Sequence, residues 1–406
     1  VFDPNKIRPD FPIFNQPDSP ALVYLDNAST TQKPIQVIDA VHQFYSRYNS
    51  NVHRGIYRIA EQATEAYESA RDKIASLIGA PDRRNIVFTK STTESVNLVA
   101  YSWARKFLKP GDEILVTEME HHSNLVPWQL AALHTGATLK YIPITESGSL
   151  DLSSPEKYFT KKTKFVACTH QSNVLGTINP IQEIIRFAKS VNAVTLIDGA
   201  QFVPHGAVDV HSLDCDFYVF SGHKMMGPTG VGVLYGKQER FEAMDPFLGG
   251  GDMILSVSME RSTWNDIPYK FEAGTPNIAQ VIGLGVSVDY INKIGILNFD
   301  EHIRKITQYA YTHLIKIPGL SVLGYHDHMD ATTSISFNLN GAHPHDVAQF
   351  LSMEGTAIRA GHHCAQPIME KLGLHASARA SFYIYNTTNE IDFLISNIIA
   401  ARQYFT

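Results

Sequence analysis

The sequence predicts an α/β protein: a large unit on a buried, mainly parallel sheet, followed by a smaller α+β unit. Three observations carry this. Short apolar runs alternate with amphipathic stretches through the first two thirds of the chain. The runs are nearly continuous in Val, Ile, Leu and Phe, as in strands covered on both faces. Near residue 295 the alternation fades and helix-like stretches outnumber strand-like ones, so the large unit is placed at 20–295 and the small one at 296–406, with 1–19 packing on the small unit.

In chain order, strands are expected at Asn85–Thr89, Glu113–Thr117, Thr138–Ile142, Lys164–Thr169, Ala193–Asp198, Asp216–Phe220 and Val231–Tyr235. Helices are expected at Thr92–Phe107, Asn124–His134 and Ile181–Val191. In the small unit, helices at Asp300–Ile315, His345–Met353 and Glu390–Tyr404 frame strands at Thr333–Asn338 and Arg379–Tyr385. Open α/β sheets bind ligands beyond the carboxyl ends of their strands, so the loops there are where chemistry is sought.

Bulk composition narrows the function classes. The chain has 406 residues, 44% hydrophobic, enough for one large core and a smaller one. With 18% charged residues and a net charge of −6, it lacks the basic footprint of a nucleic-acid or anionic-lipid binder. No run reaches the roughly 20 apolar residues of a membrane span. The polar, proline-punctuated start from Val1 to Pro12 does not read as a signal peptide, so a cytoplasmic location is expected, with a processed organellar form left open. Three cysteines, Cys168, Cys215 and Cys364, are too few and too odd for a disulfide framework. Cys168 and Cys215 border apolar runs and read as core packing. Cys364 lies in Gly361-His-His-Cys364 with Pro367 nearby, which is polar loop sequence.

The chemistry begins at Ser221-Gly-His-Lys224, directly after the strand ending at Phe220. A lysine on such a loop is placed to form a Schiff base with an aldehyde. Alone it would read as a surface lysine. Thr195-Leu-Ile-Asp198-Gly-Ala-Gln201 changes that, because it ends a neighbouring strand in an acid. Lysine and carboxylate together are what pyridoxal phosphate (PLP) requires: the amine for its aldehyde, the acid to keep its ring nitrogen protonated. Gln201 can reach the ring oxygen. Ser91-Thr92-Thr93-Glu94 opens a helix and offers hydroxyls and free N–H groups to a phosphate, though Ser91 and Glu94 fit a capping box equally well. Ser221 and His223 are further phosphate candidates. Glu120-His121-His122 offers a histidine to stack on a ring or move protons, or simply a helix start.

Taken in order, these motifs resemble the class V aminotransferase-like PLP enzymes of fold type I, and within them the SufS-type cysteine desulfurases. The resemblance runs from Tyr24-Leu-Asp-Asn-Ala28 to Tyr385-Asn-Thr387, through Asn51-Val-His-Arg54, Ser172-Asn-Val-Leu-Gly176, Phe271-Glu-Ala-Gly-Thr-Pro-Asn277 and Arg359-Ala-Gly-His-His-Cys-Ala-Gln-Pro367. It implies a seven-stranded sheet and PLP as cofactor. Lys224 would be the Schiff-base lysine and proton carrier, and His121 would stack on the ring. Asp198 would pair with the ring nitrogen and Gln201 with the ring oxygen. Thr92, Thr93, Ser221 and His223 would hold the phosphate, and Thr275 would reach it across a homodimer interface. Arg379 would clamp the substrate carboxylate, with Asn173, Arg359, His53 and Arg54 nearby. The implied reaction takes sulfur from L-cysteine as a persulfide on Cys364 and releases L-alanine, with L-selenocysteine as a side substrate. His362, His363 and Arg359 are expected to favour the Cys364 thiolate. A SufE-like or SufU-like acceptor protein feeding iron–sulfur cluster assembly is implied as partner.

Three rival readings stand beside this one. An aminotransferase or kynureninase-like enzyme of the same fold shares Lys224 and Asp198 but needs no Cys364, and cysteine sulfinate desulfinase stands as a further alternative whose substrate the sequence does not separate from cysteine. A silent relay protein would have lost Lys224, Asp198 or Arg379, and all three are present. The groups His326-Asp-His328, His343-Pro-His345 and His362-His363-Cys364 suggest a metal, but neighbouring histidines rarely build a tetrahedral set alone, so ordinary loop histidines and no metal are expected.

Overall fold

The computed structural model describes residues 2–16, 22–324 and 333–405. The pair His326/His328 lies outside them.

Seven strands form the central sheet: β1 (Ile86–Thr89), β2 (Glu113–Thr117), β3 (Thr138–Ile142), β4 (Thr163–Thr169), β5 (Val194–Asp198), β6 (Phe217–Ser221) and β7 (Gly232–Gly236). Their spatial order is β1-β7-β6-β5-β4-β2-β3, and only β7 runs against the rest. All seven predicted strands are present, displaced by at most a residue at an end. Side chains alternate between two apolar layers. On β1, Ile86 and Phe88 enter one core and Val87 the other, while on β4 Val166 and Cys168 oppose Phe165 and Ala167. Both faces are covered, which is why these strands read as continuous apolar runs. Helix Ile181–Ser190 shows how the cover is made: Ile181, Ile184, Ile185 and Ala188 recur at one helical face and are buried.

The smaller unit holds a four-stranded antiparallel sheet of β8 (Leu320–Val322), β9 (Ser334–Leu339), β10 (Arg359–Gly361) and β11 (Ser377–Ser381), in order β8-β9-β11-β10. Its core joins Ile335 and Phe337 to Ile306, Leu351, Leu394 and Ile398 from three helices. Val23 and Leu25 belong to this core too, and Val23–Tyr24 pairs in parallel with Thr356–Ala357. These residues fall inside the segment assigned by sequence to the large unit. The N-terminal segment touches both units: Phe11 meets Tyr290 and Tyr385 edge-on, and Arg8 pairs with Glu390 at 2.9 Å.

Two predicted elements end differently. The strand expected through Tyr385 stops at Ser381, because Tyr383 and Tyr385 turn into the large core. The helix expected over Thr92–Phe107 is α-helical to Val99, widens into a π turn at Ala100–Ala104, and closes at Arg105–Phe107.

Candidate active site

The carboxyl ends of β1, β2, β4, β5 and β6 open onto one cavity of about 200 Å³, closed on the far side by Arg359 and Arg379 of β10 and β11. Of the predicted site residues, it brings together Thr92, Thr93, His121, Asn173, Asp198, Gln201, Ser221, His223, Lys224, Arg359 and Arg379.

One end is a hydroxyl-rich helix N-terminus. Ser91 caps helix Thr92–Val99, its oxygen accepting from Glu94 N–H at 3.4 Å. The Glu94 carboxylate accepts from Lys90 N–H at 2.5 Å rather than from Ser91, so the capping box is incomplete. Ser221 Oγ accepts from Thr92 N–H at 2.8 Å and lies 2.7 Å from Thr92 Oγ1. Two hydroxyls share one contact, so one proton is left to give an anion. Gly232 makes the loop's close approach possible: a Cβ there would sit 2.5 Å from the Ser91 carbonyl carbon.

The middle holds the titratable groups. Burial pushes the Asp198 carboxyl up, against the pull of the Ala200 N–H and of Lys224; Oδ1 accepts from that N–H at 3.0 Å. Burial lowers the Lys224 amine to about 8, with Asp198 holding it from falling further. Burial also brings His121 down to about 3, helped by Lys224, so its ring is neutral at physiological pH. Its Nδ1 accepts from Ser123 N–H at 3.1 Å, which leaves the proton on Nε2. His223 is lowered to about 4 by burial and by Lys224 and Lys33. Gln201 lines the cavity, but its Nε2 donates to the Ala28 carbonyl at 2.8 Å.

The other end is cationic. Arg359 and Arg379 face each other across β10 and β11. Like charges directly opposite in a sheet repel and are relieved by an anion between them. Arg379 is buried; it donates to the Asn173 carbonyl at 2.9 Å and to Asp26 Oδ1 and Ser29 Oγ at 3.1 Å each. Its Nε is buried without a partner. Burial lowers this guanidinium to about 10, offset by Asp26. Asp26 stands in the Tyr24-Leu-Asp-Asn-Ala28 segment, whose sequence alone does not point to Arg379.

Cys364 is half-buried at the cavity's edge. Arg359 Nη1 donates to Ser29 Oγ at 3.0 Å and Nη2 reaches Cys364 Sγ at 3.4 Å. His363 and Cys364 both adopt left-handed backbone, at φ 53° and 55°. Non-glycine residues there cost on the order of 1–3 kcal/mol each and persist only where surroundings hold them. Here the His122 N–H donates to the Cys364 carbonyl at 2.7 Å, and Asn173 Nδ2 donates to the His363 carbonyl at 2.7 Å. His363 does not supply charge to the thiol: burial lowers it to about 3, and its Nε2 lies against Ser377. Cys168 and Cys215 are buried, the first raised well above the usual thiol range and the second to about 12, both mainly by burial.

Within one chain, His53, Arg54 and Thr275 are not part of this cavity. His53 and Arg54 border another of about 380 Å³, with Gly274 and Pro276 on either side of Thr275. His53 pairs with Glu68 at 2.8 Å and Arg54 with Asp252 at 2.7 Å. Expected beside the substrate, His53 and Arg54 thus stand apart from Arg379 within a single chain.

The residues fit PLP: hydroxyls at a helix N-terminus for a phosphate, a buried acid for a ring nitrogen, an enclosed amine for an aldehyde. The orphaned Arg379 Nε and the facing arginines suit a substrate carboxylate.

Residues 23–394 match the family described as Aminotransferase class-V. The chain is 49% identical to a probable cysteine desulfurase of Streptomyces coelicolor, over 100% of this chain and 98% of that one. It is 48% identical to a cysteine desulfurase of Haloferax volcanii, over 99% and 98% of the two. Among solved structures, the cysteine desulfurase CsdA of Escherichia coli superposes with a TM-score of 0.93 at 41% identity, covering all of both chains. The cysteine desulfurase of Thermococcus onnurineus NA1 gives 0.95 at 40% identity, covering 100% of this chain and 99% of that one. With the sheet, the cavity and this match in agreement, the chain belongs to the class-V aminotransferase family of PLP enzymes.

Proposed function

We propose that this enzyme is a cysteine desulfurase that moves sulfur from L-cysteine onto Cys364 and releases L-alanine. The observation that carries the reading is Cys364 itself: a half-buried sulfur 3.4 Å from Arg359 Nη2, beside the cavity that holds Lys224 and Arg379. Transamination on the same fold needs no thiol there. Full-length relatives named cysteine desulfurase support the same reading.

PLP bound here supplies an electron sink that labilises bonds at the substrate's α- and β-carbons. Asp198, Gln201 and His121 would hold its ring, with Thr92, Thr93, Ser221 and His223 around its phosphate. Arg379 receives the substrate carboxylate through its unpaired Nε, and Asn173 fixes both Arg379 and the Cys364 loop. Lys224 carries the α-proton, an office that an amine held near 8 can perform in both directions. Arg359 sets its guanidinium against the Cys364 sulfur at 3.4 Å and holds it at the cavity. As the Cys364 sulfur–substrate sulfur bond forms, the substrate carbon–sulfur bond breaks. Its electron pair stays with carbon, which takes a proton and departs as alanine.

The SufS-type resemblance supports sulfur delivery to a SufE-like or SufU-like acceptor for iron–sulfur cluster assembly, a side activity on L-selenocysteine, and a cytoplasmic setting. Among the described residues, no helix is long and apolar enough to cross a membrane. A homodimer is supported by exposed apolar side chains such as Ile56 (93%) and Met259 (97%). His53, Arg54 and Thr275 would then serve the partner's site. Two units are proposed: the smaller takes 296–406 together with the strand at Val23–Tyr24, and the larger takes the remainder up to residue 295.

The test is Cys364→Ala with L-cysteine as substrate. Alanine release falls to background while the cofactor's visible absorption is retained; full turnover in this variant overturns the proposal.

A further inference from the structure

We propose that His122, His362 and Cys364 form a binding site for a soft divalent cation of the zinc class, and that filling it silences the nucleophile. One nitrogen of each ring and the Cys364 sulfur lie within 4.8 Å of one another. The residues come from two separate loops, one after β2 and one after β10, which is why neighbouring histidines in sequence did not reveal a set of three.

Both rings already present a nitrogen as an acceptor. His122 Nε2 accepts from Gln366 N–H at 3.1 Å, and His362 Nδ1 accepts from Cys364 N–H at 3.1 Å. Each ring therefore offers one acceptor nitrogen, held by a single hydrogen bond from a backbone donor. The two rings stand 5.5 Å apart, centroid to centroid. His362 is exposed and the other two are half-buried, so a hydrated ion can enter from solvent. Two imidazoles and a thiolate select zinc-like ions over calcium or magnesium. Three protein ligands leave a fourth position for water.

On binding, the Cys364 thiol gives its proton to solvent as the sulfur–metal bond forms, and no electron changes hands. The ion displaces the two N–H contacts and takes the sulfur from Arg359. A sulfur whose lone pair is committed to metal cannot attack the substrate. The site is thus an off switch set by free metal, independent of how sulfur is later passed on. Cys168 and Cys215 are buried and do not compete. The rival is His343/His345, whose rings stack at 5.2 Å.

The test uses the holoenzyme and zinc chloride alone. Equilibrium dialysis should give one zinc per chain. Zinc-edge X-ray absorption should show one sulfur at about 2.3 Å with nitrogens at about 2.0–2.1 Å. Alanine release should be lost at stoichiometric zinc and return with chelator. His122→Ala and His362→Ala should each lose uptake, and the His343→Ala/His345→Ala double variant should keep it. His362 is exposed, so His362→Ala decides the matter even where His122→Ala loses its cofactor. No uptake, a zinc shell without sulfur, or uptake retained in His362→Ala overturns the proposal.

Discussion

At Arg379 the guanidinium is committed to three protein acceptors and still has its Nε to offer. Lysine keeps the charge but not the fork, so Arg379→Lys should raise KM for L-cysteine more than it lowers kcat. A lost hydrogen bond to a charged group is worth about 1.5–3 kcal/mol, or roughly ten- to hundredfold; steady-state alanine release measures it. Lys224 gives a pH prediction. Its amine titrates near 8, below the ordinary lysine value of 10.5, chiefly through burial. Only the neutral amine attacks an aldehyde, so cofactor uptake by apoprotein should quicken as pH rises through about 8, and stopped-flow absorbance will follow it. At this scale the sequence was legible where a strand carries its residue to the sheet's edge. Asp198 and Lys224 could be paired because they end neighbouring parallel strands. Asp26 could not be paired with Arg379, since 353 residues separate them and the contact exists only once the two units close. Nor could His363 be separated from its neighbours. Only the fold shows its ring turned to Ser377, leaving Arg359 to face the thiol.

Helix Arg58–Leu77 carries a buried charge cluster that holds the large unit together. Arg71 is fully buried, and it donates to Glu272 at 2.7 and 2.9 Å and to Glu68 at 3.0 Å. Removing one partner of such a set strands the other charges, so Arg71→Met should destabilise by about 3–5 kcal/mol in chemical denaturation. Burial alone would raise Glu68, yet His53 and Arg71 bring it to about 2 from 4.5. Its folded value is depressed, so it adds stability above about 4.5 that is lost as pH falls toward about 2. Glu68→Gln should flatten the acid limb of the stability curve in that window. On β7, Gly232→Ala should push the Ser91 backbone aside and weaken cofactor binding, which fluorescence titration can read. The strands of the large sheet were legible because burial on both faces makes them uniformly apolar. Helices Ile35–Arg47, Arg58–Leu77 and Ile278–Ile294 were not among the elements read from sequence. Ile278–Ile294 is buried along most of its length, with Asp289, Asn292 and Lys293 exposed only near its end, while Arg58–Leu77 buries mostly alanines and charges, with Tyr67 and Ile74 the large apolar exceptions.

For the whole molecule, the cavity at His53, Arg54 and Gly274 is where the proposed dimer can be tested. If Thr275 serves the partner's phosphate, Thr275→Asp and Lys224→Ala are each inactive alone. Co-expressed, they should recover activity through heterodimers with one intact site, whereas recovery no greater than either parent would leave each chain self-sufficient. The overall architecture was legible because alternating elements dictate a parallel sheet. The placement of Val23–Tyr24 with the small unit was not, since it rests on pairing with Thr356–Ala357 far along the chain. All of this converges on one sulfur atom. A single turnover of holoenzyme with limiting L-cysteine, followed by mass analysis of intact protein and peptides, tests it directly. The account predicts one added sulfur on the peptide containing Cys364, in an amount equal to the alanine released. Alanine without added sulfur on that peptide, or sulfur on Cys168 or Cys215, would contradict it.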